Sequence, residues 1–230
     1  MRNTVPIAAL VVWFALGQAW IPQSSAQRFG LFHPQRSSIV KKAKRYNLVP
    51  VTDAAPGVFV DLRYTVMSIA GKPLYPKDMP CLIHKESGKR LRAVQKEVAQ
   101  QGFALLIWDA WRPPEAHQTL WEAVKDPKFV VPPEKGLSWH CYGISVDLTL
   151  VKPDGTPCKM PTDFDELTDQ AASDYTGNDP EIKRNLTILQ NAMRNAGFRK
   201  INDEWWHFDD PASARSVRKV SAADLGIRLP

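Results

Sequence analysis

Near its C-terminal end the chain reads Asp203-Glu204-Trp205-Trp206-His207-Phe208-Asp209-Asp210. An imidazole and a carboxylate three residues apart, among further carboxylates, suit a metal ion or a proton transfer. The bland alternative is a core strand of Trp205, Trp206 and Phe208 with Glu204 and His207 solvated at its ends. A second polar concentration, "GLSWHCYGISVDLTL", puts His140 in a loop closed by Gly143 and Asp147 seven residues later on the polar face of a strand. Alone, that pair is ordinary structure. With His207 it supplies two imidazoles and one carboxylate, a donor set for catalytic Zn²⁺ that leaves the fourth position to water. Glu204 then has a task, because a carboxylate beside such a water can take its proton and deliver it to a leaving amine. Residues three apart on a regular strand face opposite ways. Glu204 is therefore expected in a bend just before the strand, His207 on the strand, and the tryptophans as walls of the site.

The third concentration is "WDAWRPPEAHQ". Arg112 lies just past an apolar run and before two prolines that fix the chain. A surface Arg is the usual reading. The rigid setting and the neighbouring Asp109 instead suggest a held guanidinium able to stabilise the oxyanion of a tetrahedral intermediate. His33, His84 and His117 have no comparable surroundings and read as structural or surface residues.

These groups must be carried by a frame, and the pattern outlines one. "GVFVDLRYTV" alternates as a strand does; "GKPLYPKDMP" is a Pro- and Gly-rich loop. Leu91, Val94 and Val98 recur at helical spacing up to Gly102, a C-terminal stop. "FALLIW" is a short buried strand, and Pro113-Pro114 open the next helix. In "GISVDLTL", Val146, Leu148 and Leu150 face one side and Ser145, Asp147 and Thr149 the other. Asp179 caps and Pro180 starts a helix with Ile182, Leu186, Leu189 and Met193 inward and Gly197 at its end. "FRKI" and "WWHFD" finish as strands. Without regular strand–helix alternation or a phosphate-binding Gly loop, the expected fold is α+β, a single domain with a mainly antiparallel sheet flanked by helices.

The 230 residues, 44% hydrophobic and 10% aromatic, suit one well-buried domain with no sign of repeats or disorder. Residues 1–26 differ: Arg2 is their only charge, Val5 to Leu16 is nearly all apolar, and Ser24-Ser25-Ala26 ends the segment in small residues. They read as a secretory signal peptide cut after Ala26, with an uncleaved anchor as the alternative, and place the protein in the periplasm or outside the cell. Residues 27–50 read as a mobile basic lead-in, and the domain as residues 51–230. Without the signal, 29 Lys and Arg face 24 Asp and Glu, a net charge of +5 that is diffuse apart from the tail Arg215, Arg218, Lys219 and Arg228. No basic stripe with interleaved aromatics points to nucleic acid, and no stable membrane insertion is expected once the signal is removed. Cys81, Cys141 and Cys158 are an odd set for an oxidising compartment; one disulfide and one free thiol is an option, with the pair undetermined.

"VDLRYTV", "WDAWRP", "SWHCYGISVDLTL", "FDE" and "EWWHF", in this order, resemble the VanX-type D-alanyl-D-alanine dipeptidases. These belong to the zinc D,D-peptidases that share a fold with the Hedgehog signalling domain. The resemblance runs from about Val58 to Asp209. It implies His140, Asp147 and His207 as ligands of a single zinc ion, Glu204 as general base and acid, and Arg112 as the group that polarises the scissile carbonyl. It further implies Asp165, Tyr64 and Asp109 as holders of the dipeptide's free ammonium, and Ser138 as a residue lining the site. Departures occur at Cys141-Tyr142 after the first His, at Ser145, at Ile69-Ala70 and at Met160-Pro161. They touch neither the ligands nor Glu204, so metal-dependent hydrolysis is firmer than the exact substrate. Cys141, beside a ligand, reads as a small packing residue. The expected activity is hydrolysis of peptidoglycan-derived D-Ala-D-Ala by metal-activated water. A D,D-carboxypeptidase or endopeptidase acting on longer muropeptides is the nearest rival; a non-catalytic zinc or peptide module would need neither Glu204 nor Arg112.

Overall fold

The structure, a computed structural model, describes residues 34–69 and 71–230. Residues 1–26, expected to be a signal peptide, and residues 27–33 lie outside the described residues.

Order begins earlier than the sequence suggests. Pro34–Ala43 is a helix, α1, followed by a 3-10 turn over Lys44–Tyr46 and strand β1, Leu48–Pro50. Residues 34–50 are therefore part of the domain and not a lead-in. Their anchors are few, Ile39, Ala43 and Leu48, all buried in the common core. β1 pairs antiparallel with β3, Leu82–His84, in a small sheet. A short helix α2, Val51–Ala54, follows β1 directly.

The main sheet has five strands: β2 (Phe59–Val60), β4 (Ala104–Asp109), β5 (Ser145–Val151), β6 (Arg199–Lys200) and β7 (His207–Asp209). Their spatial order is β2-β4-β5-β7-β6, with β2 parallel to β4 and every other pair antiparallel. The fold is the expected α+β domain. Two expected strands are shorter than their patterns. After Val60 the chain turns into a 3-10 turn over Arg63–Thr65, and Trp205 and Trp206 precede the strand that His207 begins.

Two amphipathic helices, α3 (Lys85–Gln100) and α5 (Pro180–Asn195), pack on one another and against the sheet. Leu91, Val94 and Val98 of α3 and Ile182, Leu186, Leu189 and Met193 of α5 are buried, as their spacing requires. Asp179 Oδ1 accepts from the amides of Glu181 and Ile182 at 2.9 and 3.3 Å, capping α5. Helix α4, Pro114–Val124, starts at the second of the two prolines, and Pro113 is its cap. A last short helix, α6, spans Ala222–Leu225.

β5 is buried along its whole length on both faces, which explains how an alternating sequence serves a central strand. Val146 lies opposite Phe208 and Leu148 opposite Ile107 on one face. On the other face Asp109, Asp147 and His207 form a row across three adjacent strands. The row depends on a bulge. Ile107 pairs with Leu148, but Asp109 and not Trp108 pairs with Asp147. The extra residue turns Asp109 onto the same face as Asp147.

His140 is delivered to that face by a 3-10 turn, Trp139–Tyr142, closed by Gly143 at φ 69°. A Cβ on Gly143 would come within 2.6 Å of Leu48 Cδ2 and 3.1 Å of the His84 amide. Gly143→Ala is expected to cost about 1–2 kcal/mol for the left-handed backbone alone, plus the overlap. Thermal unfolding should show a clear drop in Tm; an unchanged Tm would mean that the loop shifts at no cost.

Candidate active site

The described residues contain one convergence of metal-binding side chains, His140, Asp147 and His207, all buried, with their ligand atoms within 4.8 Å of one another. His140 Nδ1 donates to the Ala110 carbonyl at 2.6 Å, which leaves Nε2 as a bare lone pair. His207 Nε2 donates to Asp209 Oδ1 at 3.0 Å, which aims Nδ1 at the cluster. Asp209 is held in turn by the Ser145 hydroxyl, which donates to Oδ1 at 2.6 Å from the strand directly opposite. These two nitrogens face each other at 3.2 Å, with Asp147 Oδ1 2.9 Å from His207 Nδ1 and Oδ2 3.3 Å from His140 Nε2. Two imidazole nitrogens and a carboxylate brought this close together fit a divalent cation, which would take the place of any proton held between His207 and Asp147. Fixing the ring tautomers through outer partners is how protein metal sites are built. Burial favours the neutral form of Asp147, but His140 and His207 outweigh it and hold the carboxyl far below the usual range. Burial also works against a charged His207, and Asp147 and Asp209 overcome it.

Glu204 stands where the bend was expected. Its carbonyl accepts from the His207 amide at 3.3 Å, closing a turn through the two tryptophans. That turn brings Glu204 Oε2 to 3.8 Å from His207 Nδ1, although the two residues are three apart. Burial raises the Glu204 carboxyl to about 8, against the lowering pull of His207. A carboxylate poised near neutrality suits a group that must both accept and return a proton. The tryptophans do not wall the site. Both are fully buried beneath it, in an edge-to-face cluster with Trp108 and Phe164. Trp205 Nε1 donates to Thr162 Oγ1 at 2.9 Å.

Arg112 is buried and held. Its Nε donates to Asp109 Oδ2 at 2.9 Å, Nη2 reaches the same oxygen at 2.9 Å and Asp147 Oδ2 at 3.5 Å, and the guanidinium lies 5.1 Å from the Tyr64 ring centre. Asp109 accordingly departs from its expected role. It is fully buried and does not line the cavity; its other oxygen accepts from the Tyr75 hydroxyl at 2.9 Å. Asp109 therefore orients Arg112 and lies outside the lining of the cavity that would hold a substrate ammonium. Tyr75 was not singled out in the sequence, because it sits inside a Pro- and Gly-rich loop.

Around these groups is a cavity of about 340 Å³, lined among others by Tyr64, Arg112, Ser138, Asp165 and Glu204. That is at the small end for small-molecule sites, about 300–1,000 Å³. Asp165 takes a left-handed backbone at φ 56°, uncommon for a residue with a side chain, and accepts from the Tyr64 hydroxyl at 2.7 Å. Burial pushes its carboxyl up to about 7, more than Tyr64 and Arg112 pull it back. Ser138 lines the cavity and caps the turn that carries His140, its Oγ accepting from the His140 amide at 3.3 Å. Part of the wall is apolar, with Leu120, Val124, Phe129 and Val130. His117 is on this wall, which its sequence context did not signal. It is fully buried, bonded through Nε2 to the Val131 carbonyl at 2.9 Å, and lowered to about 4 by burial. The three cysteines are all free, so no disulfide forms among the described residues. Cys141 is packed in the interior, its thiol pushed up to about 12 by burial, and takes no part in the metal cluster.

A buried His-Asp-His cluster, an adjacent carboxylate and a held guanidinium on the face of an α+β sheet define a metal-dependent hydrolase. The D-ala-D-ala dipeptidase family matches residues 44–223. The chain belongs to that family and is a hydrolytic dipeptidase of the metallopeptidase class. It is 36% identical to the D-alanyl-D-alanine dipeptidase of Escherichia coli over 169 residues, 73% of this chain and 86% of that protein. The D-alanyl-D-alanine dipeptidases of Enterococcus faecium and Enterococcus faecalis are 28% and 27% identical over 181 and 178 residues, each alignment covering 67% of this chain and 88% of the relative.

Proposed function

We propose that the chain hydrolyses free D-Ala-D-Ala, holding a single zinc ion at His140 Nε2, Asp147 and His207 Nδ1, with Glu204 as general base and acid. The observation that carries this reading is the convergence of His140, Asp147 and His207 beside the buried Glu204 carboxylate, in a cavity lined also by a second one, Asp165. When bound, zinc supplies a Lewis acid that polarises the scissile carbonyl and acidifies water. Glu204 takes the proton of the attacking water and returns it to the nitrogen of the leaving D-Ala. Arg112 stabilises the negative charge that develops on the carbonyl oxygen. Nε and Nη2 are engaged by Asp109 and Asp147, which leaves Nη1 as the corner of the fork that meets substrate.

Asp165 and Tyr64 hold the free ammonium of the dipeptide. A buried carboxylate rewards a cation and penalises a neutral amide, so this end of the cavity selects a free N-terminus over an acylated one. Export of the enzyme, supported by the apolar and small-residue pattern of residues 1–26, places the reaction in the periplasm or outside the cell, where the dipeptide arises from peptidoglycan turnover.

Asp165→Asn tests the assignment. The variant should turn over D-Ala-D-Ala weakly and narrow the gap between the free dipeptide and its N-acetyl form. The pH profile supplies a second readout. Asp165 is charged only above its pKa of about 7, so ammonium binding weakens as pH falls through that value. Wild-type kcat/KM should show an acidic limb there, falling as pH drops through about 7, that Asp165→Asn lacks. Wild-type enzyme that cleaves N-acylated peptides as well as free dipeptide would overturn the dipeptidase reading in favour of a D,D-carboxypeptidase with the same metal centre.

A further inference from the structure

Two basic stretches take no part in this chemistry: the segment around Lys41, Lys42, Lys44 and Arg45, and the tail from Arg215 to Arg228. They lie at opposite ends of the sequence, yet the fold joins them. α1 packs against α6. The Arg218 guanidinium lies 4.6 Å from the Tyr46 ring centre, the Tyr46 hydroxyl donates to Asp224 at 3.3 Å, and Lys42 Nζ sits against Gly226. Residues 34–50 hold five Lys and Arg and no acid, and residues 211–230 hold four against Asp224 alone; residues 51–210 hold 19 against 23 acids. The two joined segments thus make a cationic pole that carries +8 and is bordered by Glu115, whose carboxylate accepts from the Ala222 amide at 3.2 Å, while residues 51–210 as a whole carry −4. Eight of the nine cations at the pole are exposed. Among the described residues, none of the nine is in an ion pair.

We propose that this pole docks the enzyme onto an anionic phospholipid bilayer. Cations spread over a helix, a 3-10 turn and a tail are met together by an extended anionic surface, whereas a single small anion reaches few of them. Nucleic acid fits poorly, because the one aromatic ring at the pole, Tyr46, is already covered by Arg218. The contact is with headgroups and without insertion. The exposed large apolar residues, Val66 and Val131, belong to other regions, and no helix of the described residues is long and apolar enough to cross a membrane. The acidic body then faces away from the lipid, and attachment weakens with salt.

The test is co-sedimentation of the full chain with vesicles of phosphatidylcholine alone and of phosphatidylcholine mixed with phosphatidylglycerol. The pole variant carries Lys41→Glu, Lys44→Glu, Arg45→Glu and Lys219→Glu. The control variant carries the same charge change on the body, at Lys77, Lys96, Lys183 and Arg184, all to Glu. All three proteins keep residues 1–33, so any contribution of that segment cancels. Wild type and control should pellet with the phosphatidylglycerol vesicles, decreasingly with salt. Loss of each cation costs roughly fivefold in partitioning, so the pole variant should fall to the level seen with phosphatidylcholine alone. Activity in vesicle-free buffer should match across the three, which shows that all are folded. Equal losses in both variants would reduce the effect to net charge and overturn the pole. Wild type that ignores phosphatidylglycerol but binds soluble polyphosphate would assign the pole to an anionic polymer and overturn the bilayer.

Discussion

Glu204→Gln is expected to leave a folded, metal-loaded protein whose kcat has fallen by about 10²–10⁴, the range for removal of a general acid–base. The amide keeps the size of the side chain and its place in the turn below His207, but it neither takes a proton from water nor returns one to an amine. The metal ligands should behave differently. His140→Ala, Asp147→Ala or His207→Ala each takes one donor from a cluster of three, and metal content measured on the purified protein should fall with activity. The contrast is what matters. Should Glu204→Gln lose metal as readily as the histidine variants, Glu204 would be a ligand and the proton transfer would need another residue. Asp209 provides an internal check, since its carboxylate touches His207 on the side away from the cluster. Asp209→Asn is expected to weaken metal binding while sparing the donor set, because it loosens the His207 tautomer and not the ligand itself.

The metal cluster was legible in the sequence because its residue types are distinctive, and because the strand pattern around Asp147 and the loop around His140 fixed their settings. The tight turn at Glu204 followed from one incompatibility: two residues three apart cannot share a face of a strand. What stayed hidden depends on contacts distant in sequence. α1 buries only Ile39 and Ala43 in the core, with Val40 half-buried beside them, within a run of charges, so its order comes from packing on α6 and from β1 pairing with β3, neither written in local periodicity. The bulge at Trp108 decides whether Asp109 or its neighbour faces the site, and no residue type announces it. Tyr75 reaches Asp109 from a loop through a single hydroxyl, which the composition of that loop does not single out; Tyr64, which touches Asp165 in the same way, is marked only through the family resemblance. The charged pole was visible as two separate basic runs; only the fold makes them one surface.

Arg112→Ala should lower kcat by about 10²–10³ with a much smaller change in KM, since an oxyanion donor acts mainly in the transition state. Arg112→Lys should recover little. An ammonium on a flexible stem cannot bond Asp109 through two nitrogens, approach Asp147 and still present a free corner to substrate. The buried chain behind the guanidinium predicts a graded series. Tyr75→Phe removes one hydroxyl from Asp109 Oδ1 and leaves the ring in place beside Tyr64. Asp109 then keeps its charge but loses one of the two contacts that fix its orientation, so the fork is less well aimed. A several-fold drop in kcat is expected, with KM for D-Ala-D-Ala and metal content unchanged. Asp109→Asn should cost more, because the buried Arg112 loses its main counter-charge. The decisive comparison is Tyr75→Phe placed on Arg112→Ala. If Tyr75 acts through Arg112, the second substitution adds almost nothing to kcat once the guanidinium is gone. Independent, multiplying losses would show that Tyr75 supports the site by another route, and an unchanged kcat in Arg112→Ala alone would remove the guanidinium from the mechanism altogether.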